Sequence, residues 1–260
     1  MADKEKHYFE NVSLLVTHYN RSKSLERLLA SFEKQGCVFA EIVVSDDGSK
    51  DEHLQYLENL NKRFDFRLIR AVRNGGLGAN INKGQDAIRT PYTLYVQEDF
   101  VALEGSAEHL KNAVSLMEEG AEIDTIRFYS YTGYPVLKPY KYGFSEMIFR
   151  KWSRGVDKFN YYSDHPHIRR SNFFEKFGRY VEGKNPEYTE FDMMISFLQK
   201  KGKGLLFEQY KTVFDQVNTS TEPSTMKRKF WRQSNNALVL AVVQTYRYLK
   251  FYSNLLFVAK

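Results

Sequence analysis

The sequence predicts an α/β protein with a mostly parallel central sheet flanked by helices, and three observations carry that prediction. Short apolar runs alternate with helical patterns over residues 1–100, which is the signature of successive βαβ units. Each run ends in polar or acidic residues, as expected of strands whose carboxyl ends form a ligand edge. A glycine-rich stretch, "RNGGLG", leads directly into one of the helices.

Residues 12–17 of "NVSLLVTHYN" make the first strand. "SKSLERLLASFEKQG" follows with Leu25, Leu28, Leu29 and Phe32 at helical spacing and Gly36 as the stop. "AEIVVSDDGSKDEHLQYLENLNKRF" repeats the design, with a strand over residues 41–45, a turn at "DDGS" and a helix carrying Leu54, Leu57 and Leu60. "FRLIRAV" is a third short strand, "GLGANINKGQDAI" passes from a loop into a helix, and "YTLYVQ" is a fourth strand that runs straight into Glu98 and Asp99. Beyond Phe100, "SAEHLKNAVSLMEEG" reads as a helix and "IDTIRFYS" as a strand. "EYTEFDMMISFLQKKGKG" reads as a helix stopped by Gly202 and Gly204, and "LLFEQYKTVFDQ" as a strand. Residues 129–162 are rich in tyrosine, lysine and glycine and lack a period. They read either as a variable region shaped for a ligand, or as aromatic surface loops.

From Lys227 the chain reads "KRKFWRQSNNALVLAVVQTYRYLKFYSNLLFVAK", and Leu238, Val242, Tyr246, Leu249, Tyr252 and Leu256 recur at steps of three or four with Arg247 and Lys250 off that face. Such a helix packs on the domain or on a second subunit, or rests as a basic amphipathic helix on a membrane surface. The organisation expected is one domain over residues 1–226, with halves 1–100 and 101–226, and a helical segment over 227–260.

Composition sets outer limits. At 260 residues and 42% hydrophobic content, the chain builds a sizeable core. Its formal charge of +6 favours an anionic partner, whether a nucleotide, a phospholipid surface or nucleic acid. A single cysteine, Cys37, rules out an intrachain disulfide and a Cys-rich metal site, and it fits a reducing cytoplasm. No Ser-His-Asp or Cys-His arrangement can be assigned, and Cys37 has no identifiable base. The opening "MADKEKHYFE" has no apolar signal-peptide core. The longest apolar run, residues 237–243, falls short of the ~20 residues that span a bilayer. A soluble or peripheral protein is expected.

Four motifs in order, "VSLLVTHYNR", "EIVVSDDGSKD", "RNGGLG" with the "ANINKG" that follows it, and "TPYTLYVQEDF", resemble the family 2 glycosyltransferases of the GT-A fold. The resemblance is good from Val12 to Phe100 and looser at "HIRRSNFFEKFG" and "YTEFDMM". It implies a GT-A sheet and a nucleotide-sugar donor. Thr17, Tyr19 and Asn20 would lie against the nucleoside, Asp47 would accept from the base, and Arg73 and Asn74 would touch ribose or phosphate. Asp46 and Asp47 are otherwise ordinary turn formers. Ile81 stands where the family often has an arginine, which puts one phosphate or base contact in doubt.

The resemblance also makes Asp99 a ligand of Mg²⁺ or Mn²⁺ and Glu98 its partner or a ribose contact, although Gln97 and Phe100 replace acids frequent in the family. His167, or its neighbour His165, would be a further metal ligand, the alternative being a hydrogen-bonded structural histidine. Arg169 and Arg170 would face the diphosphate or, failing that, solvent. Glu190, with Asp192 two residues on, matches the base that faces the acceptor hydroxyl. The reaction implied is inverting transfer of a sugar to a saccharide or lipid-linked acceptor, in the cytoplasm or at the inner face of the membrane, with no nucleic-acid partner and with room for a homodimer. A nucleotidyltransferase on a related sheet is the rival enzyme, but "THYNRSKS" has no glycine after the first strand. A non-catalytic nucleotide-sugar-binding module is the other rival.

Overall fold

In the computed structural model, residues 5–153, 155–220, 222 and 237–258 are described, residues 237 and 238 by their backbone alone. Eleven strands and seven α-helices alternate along these residues. The amino-terminal half is built from β1 (His7–His18), α1 (Ser22–Lys34), β2 (Cys37–Asp46), α2 (Asp51–Phe64), β3 (Arg67–Arg70), α3 (Gly76–Asp86) and β4 (Tyr92–Gln97). These strands lie parallel in the order β3-β2-β1-β4, so their carboxyl ends share one edge. The register pairs His18 with Asp46 and Thr17 with Gln97.

Side chains alternate across this sheet, as the pleat requires. Leu14, Val16, Val44, Leu94 and Val96 join Leu25, Leu28, Leu29, Phe32 and Leu57 of α1 and α2 in one apolar layer. Leu15, Val43 and Tyr95 point the other way, into a second layer with Ile81 of α3. Both faces are covered, which is why these strands read as nearly unbroken apolar runs.

The remaining elements are β5 (Phe100–Ala102), α4 (Ser106–Glu119), β6 (Thr125–Arg127), β7 (Leu137–Pro139), β8 (Phe144–Met147), β9 (His167–Arg170), α5 (Phe173–Phe177), α6 (Pro186–Gln199), β10 (Gly204–Phe207), β11 (Phe214–Gln216) and α7 (Ala237–Phe257). The full sheet has nine strands, ordered β3-β2-β1-β4-β9-β6-β10-β8-β7. It is mixed beyond β4, because β9 runs antiparallel to both of its neighbours. "HIRR", which the sequence pattern does not mark as a strand, is a central one, and its buried Ile168 and Arg169 fill the sheet interior.

"LLFEQYKTVFDQ" is two strands rather than one. The polar "EQYKT" between them turns, with the Thr212 N–H donating to Gln209 O, and β11 leaves the main sheet to pair with β5. The region 129–162 contains the hairpin β7–β8. Tyr129, Tyr134, Tyr161 and Tyr162 are buried there, while Tyr131, Tyr140 and Tyr142 are exposed. Most of its aromatic content is therefore core, not a ready-made acceptor surface.

Helix α7 packs on the domain, but through a face other than the one its spacing suggested. Phe251 is fully buried, stacked on Phe159 at 4.1 Å, and Tyr248, Tyr252 and Leu255 join the same layer. Gln199 at the end of α6 donates to the carbonyls of Asn254, Leu255 and Val258. Lys158 is buried under this helix. Its ammonium donates to Lys151 O at 3.0 Å, to Ser153 O and to Tyr252 Oη at 2.7 Å, and lies 5.2 Å from the rings of Tyr248 and Tyr252. The basic residues Lys227, Arg228 and Lys229 lie outside the described residues.

Candidate active site

The parallel strands deliver His18, Asp46 and Gln97 to one edge, and the turns beyond them carry most of the expected donor residues. Asp46 does not face outward. Its carboxylate takes Ser49 Oγ at 2.5 Å and the N–H groups of Gly48 and Ser49 at 3.1 and 3.0 Å, and it pairs with His18 Nδ1 at 2.8 Å. The Arg21 N–H donates to His18 Nε2 at 3.2 Å, which fixes the neutral tautomer with its proton on Nδ1. Burial holds that imidazole below its usual range, against the pull of Asp46. Asp46 is thus the turn former of the two.

Asp47 is turned toward the glycine-rich loop. Its two oxygens accept the N–H groups of Gly75 and Gly76, both at 2.9 Å, and so satisfy donors at the positive end of α3. The approach depends on Gly48, whose φ is +72° and where a Cβ would meet the Arg73 and Asn74 backbone at 2.6–2.9 Å. Burial pushes the Asp47 carboxyl up, opposed by these two N–H groups and by Lys83. Lys83, two residues beyond Ile81, donates to Asp46 O and is held down by burial. It supplies a cation on α3 where Ile81 provides none. Arg73 and Asn74 are exposed at the loop rim. Thr17 is buried, with its hydroxyl 3.1 Å from Tyr95 Oη. Asn20, at φ +53°, straps two loops together through the Lys50 N–H and Ser49 Oγ, and Tyr19 beside it is half-buried.

Glu98 and Asp99 meet a guanidinium. Arg21 Nη1 lies 3.2 Å from Asp99 Oδ2 and 3.8 Å from Glu98 Oε1, and its Nη2 donates to Asn218 Oδ1 and Glu222 O at 2.8 and 3.0 Å. Gln216 of β11 donates to Asp99 Oδ2 at 2.9 Å. Asp99 Oδ1 is buried without a partner, so it is the oxygen of this pair that fits an added cation. Burial and the charge of Asp99 push the Glu98 carboxyl up to about 8, against Arg21.

The antiparallel run of β9 decides the fate of four expected ligands. Its amino end lies beside the carboxyl end of β4, with His167 opposite Tyr95, so residues 163–165 reach the site edge and residues 169–170 run away from it. Arg169 and Arg170 therefore do not face a diphosphate. Arg169 sits opposite Thr93, fully buried, bound to Gln85 Oε1 at 2.8 Å and Tyr180 Oη at 3.1 Å. Arg170 donates to the carbonyls of Met117, Gly120 and Ile123 around the end of α4. His167 is sealed inside the sheet, its Nδ1 at 2.7 Å from His165 O, and the described residues hold no group of three or more His, Cys, Asp or Glu that could bind a metal. His165 is driven down to about 3 by burial and by Arg127, and is ringed by Phe100, Tyr129 and Tyr131.

Glu190 of α6 reaches the same edge. Ser163 Oγ and the Asp164 N–H both donate to its Oε1, at 2.6 and 2.9 Å. Asp192 lies about 200° further round the helix and half-buried. Asp164 went unassigned from the sequence, yet it is buried here, accepts from Tyr180 Oη at 2.6 Å, and leaves Oδ2 without a partner. Burial and the neighbouring Glu190 raise its carboxyl to about 7, despite Tyr180 and Arg169. Arg21 was also missed, although two acids at a strand end require a counter-ion and "THYNR" ends in one.

These two raised carboxyls make stability depend on pH. Glu98 and Asp164 ordinarily titrate at 4.5 and 3.8 and here near 8 and 7, so at these two sites the folded protein holds protons that the unfolded chain has lost between those limits. Their contribution to stability falls as pH rises through that window. The depressed imidazoles of His18 and His165 act in the opposite sense below about pH 6.5, so the thermal midpoint is expected to drop between about pH 7 and about pH 8, and Glu98→Gln to flatten the decline. A slope identical in that variant would remove Glu98 as its source.

The profile of glycosyl transferase family 2 matches residues 13–180. Among curated proteins, the cholesterol galactosyltransferase of Borreliella burgdorferi is 27% identical over 120 residues, 46% of this chain and 33% of that protein. The GalNAc(5)-diNAcBac-PP-undecaprenol beta-1,3-glucosyltransferase of Campylobacter jejuni is 30% identical over 102 residues, 38% and 33% of the two chains. The chain spans about a third of the length of these relatives. Among solved structures, S. aureus TarS 1-349 in complex with UDP-GlcNAc superposes with a TM-score of 0.63 at 17% identity, covering 95% of this chain and 71% of that one. The complex of the same protein with UDP gives 0.58 at 21% identity, covering 80% and 61%. The likeness to TarS is one of fold.

Proposed function

We infer the reaction from a chain that belongs to glycosyl transferase family 2: it transfers a sugar from a nucleotide-diphosphate donor to an acceptor hydroxyl, with inversion. The observation that carries this reading is the convergence on one sheet edge of Asp47 at the α3 amino end, the Asp99–Arg21 pair, and Glu190 across from them. A uridine nucleotide is the first donor to try, given the UDP and UDP-GlcNAc complexes of TarS. Saccharide or lipid-linked acceptors follow from the names of the relatives.

Each residue has a task in this reading. Asp47 keeps unused lone pairs for a base N–H while it orders the glycine loop. The α3 amino end and Lys83 offer positive potential to phosphate oxygens. Glu190, its Oε1 tied by two donors, presents Oε2 to take the acceptor proton as the sugar carbon is attacked. Asp99 through Oδ1, with Glu98 beside it, would hold Mg²⁺ or Mn²⁺, which would neutralise the leaving diphosphate. Arg21 sets the orientation of both carboxylates and supplies one positive charge of its own. Tyr131, exposed and donating to Gln216 Oε1 at 2.6 Å, is a ring available to the acceptor.

Calorimetry with UDP, with and without Mn²⁺, tests the donor site. Asp47→Ala is expected to weaken binding under both conditions, and Asp99→Ala to abolish only the gain from Mn²⁺. A gain that survives in Asp99→Ala overturns the metal assignment. Release of free sugar from a UDP-sugar without acceptor separates an enzyme from a binding module, which releases none.

A further inference from the structure

Helix α7 has two apolar faces, and the fold uses one. The inner face, Tyr248, Phe251, Tyr252 and Leu255, is packed on Phe149, Phe159 and α6. On the outer face Val242 is 70% exposed, Tyr246 63% and Leu249 68%, and Leu256 and Phe257 are exposed beyond them. At about 100° per residue, Val242, Tyr246, Leu249, Ser253 and Leu256 fall within about 80° of arc, a continuous stripe along the helix.

The rims of the stripe are cationic and aromatic. On one side Trp152, 78% exposed, stacks on Tyr252 at 5.7 Å with Lys151 Nζ 5.2 Å from its ring. On the other side stand Arg247 and Lys250, the latter 4.6 Å from the Phe191 ring. The helix Ala237–Phe257 contains no Asp or Glu. No helix of the described residues is long and apolar enough to cross a membrane.

We propose that this face of α7 lies in the interface of a membrane with anionic headgroups. An apolar stripe held rigidly outward, a tryptophan at its border and bases on both flanks match the surface of an interfacial helix. A second copy of the chain is the poorer occupant: a two-fold pairing repeats one surface on both sides, so α7 against α7 would bring bases together with no acid of either helix between them. The Lys158 lock fastens the helix to residues 151–158, so the body of the domain would ride at a fixed angle to the lipid.

The experiment is flotation of the protein with vesicles of equal parts phosphatidylglycerol and phosphatidylcholine, beside vesicles of phosphatidylcholine alone. Binding is expected to the anionic vesicles, to weaken with salt, and to fall about fivefold in Lys250→Ala. The double variant Val242→Asp, Leu249→Asp should lose it while keeping its circular dichroism and thermal midpoint, since both side chains point away from the fold. Absence of binding at low salt overturns the proposal, as does equal binding of the double variant. A dimer in sedimentation velocity that the double variant abolishes, without vesicle binding by the parent, assigns the stripe to a second copy instead.

Discussion

Glu190→Gln is expected to cut sugar transfer by about 10²–10⁴-fold while nucleotide affinity stays close to that of the unaltered protein. The amide has the shape of the carboxylate and still accepts from Ser163 Oγ and the Asp164 N–H through its carbonyl oxygen, so the loop it fastens should stay in place. What it loses is basicity at the other position. Two acids provide the internal comparison. Asp192→Asn should be far milder, because the helix turns that side chain away. Asp164→Asn should shift the pH profile, because its carboxyl titrates near 7 in electrostatic contact with Glu190. Steady-state transfer and calorimetry on the three variants decide the matter. An active Glu190→Gln enzyme beside an inactive Asp192→Asn enzyme would move the base to Asp192.

Arg169→Met should destabilise the protein by about 3–5 kcal/mol, a fall in thermal midpoint of roughly 6–20 °C. The guanidinium is fully buried and holds Gln85 and Tyr180, and Tyr180 in turn donates to Asp164. Removing it leaves an acid and two polar groups in the interior short of a partner. Its rings, Tyr95, Phe173, Phe174 and Tyr180, lie within 5.1–5.8 Å, and a thioether fills only part of that space. UDP affinity measured well below the new midpoint should change little. A large loss of affinity with an unmoved midpoint would return Arg169 to the diphosphate.

What the sequence made legible was the parallel half of the sheet. There each strand is an unbroken apolar run and each helix an amphipathic one, so period and motif agree, and Asp47, Asp99 and Glu190 fell at positions the structure brings to one edge. What it hid depends on direction. "HIRR" carries the same residues whether it runs toward the site or away, and only its antiparallel pairing turns Arg169 and Arg170 from the ligand edge. Arg21 and Asp164 were hidden for a related reason: each gains its meaning from a partner far along the chain, Asn218 and Glu222 for one, Tyr180 and Glu190 for the other. In α7 the pattern was visible but reversible, since apolar residues lie on two faces and spacing alone does not say which of them turns inward.

Glu222 closes the amino-terminal half from some 200 positions further along the chain. Its carboxylate accepts from the Lys23 and Ser24 N–H groups and Ser24 Oγ at 2.6–3.0 Å, while its carbonyl, Asn218 and Gln216 complete the surroundings of Arg21 and Asp99. Seen from a ribosome, this is a matter of timing. The four parallel strands emerge first, yet the first turn of α1 and the Arg21 guanidinium wait for residues synthesised some 200 positions later. A nascent chain stopped short of Asp215 would carry the parallel strands without their latch, with Arg21 and Asp99 still lacking Asn218, Glu222 and Gln216.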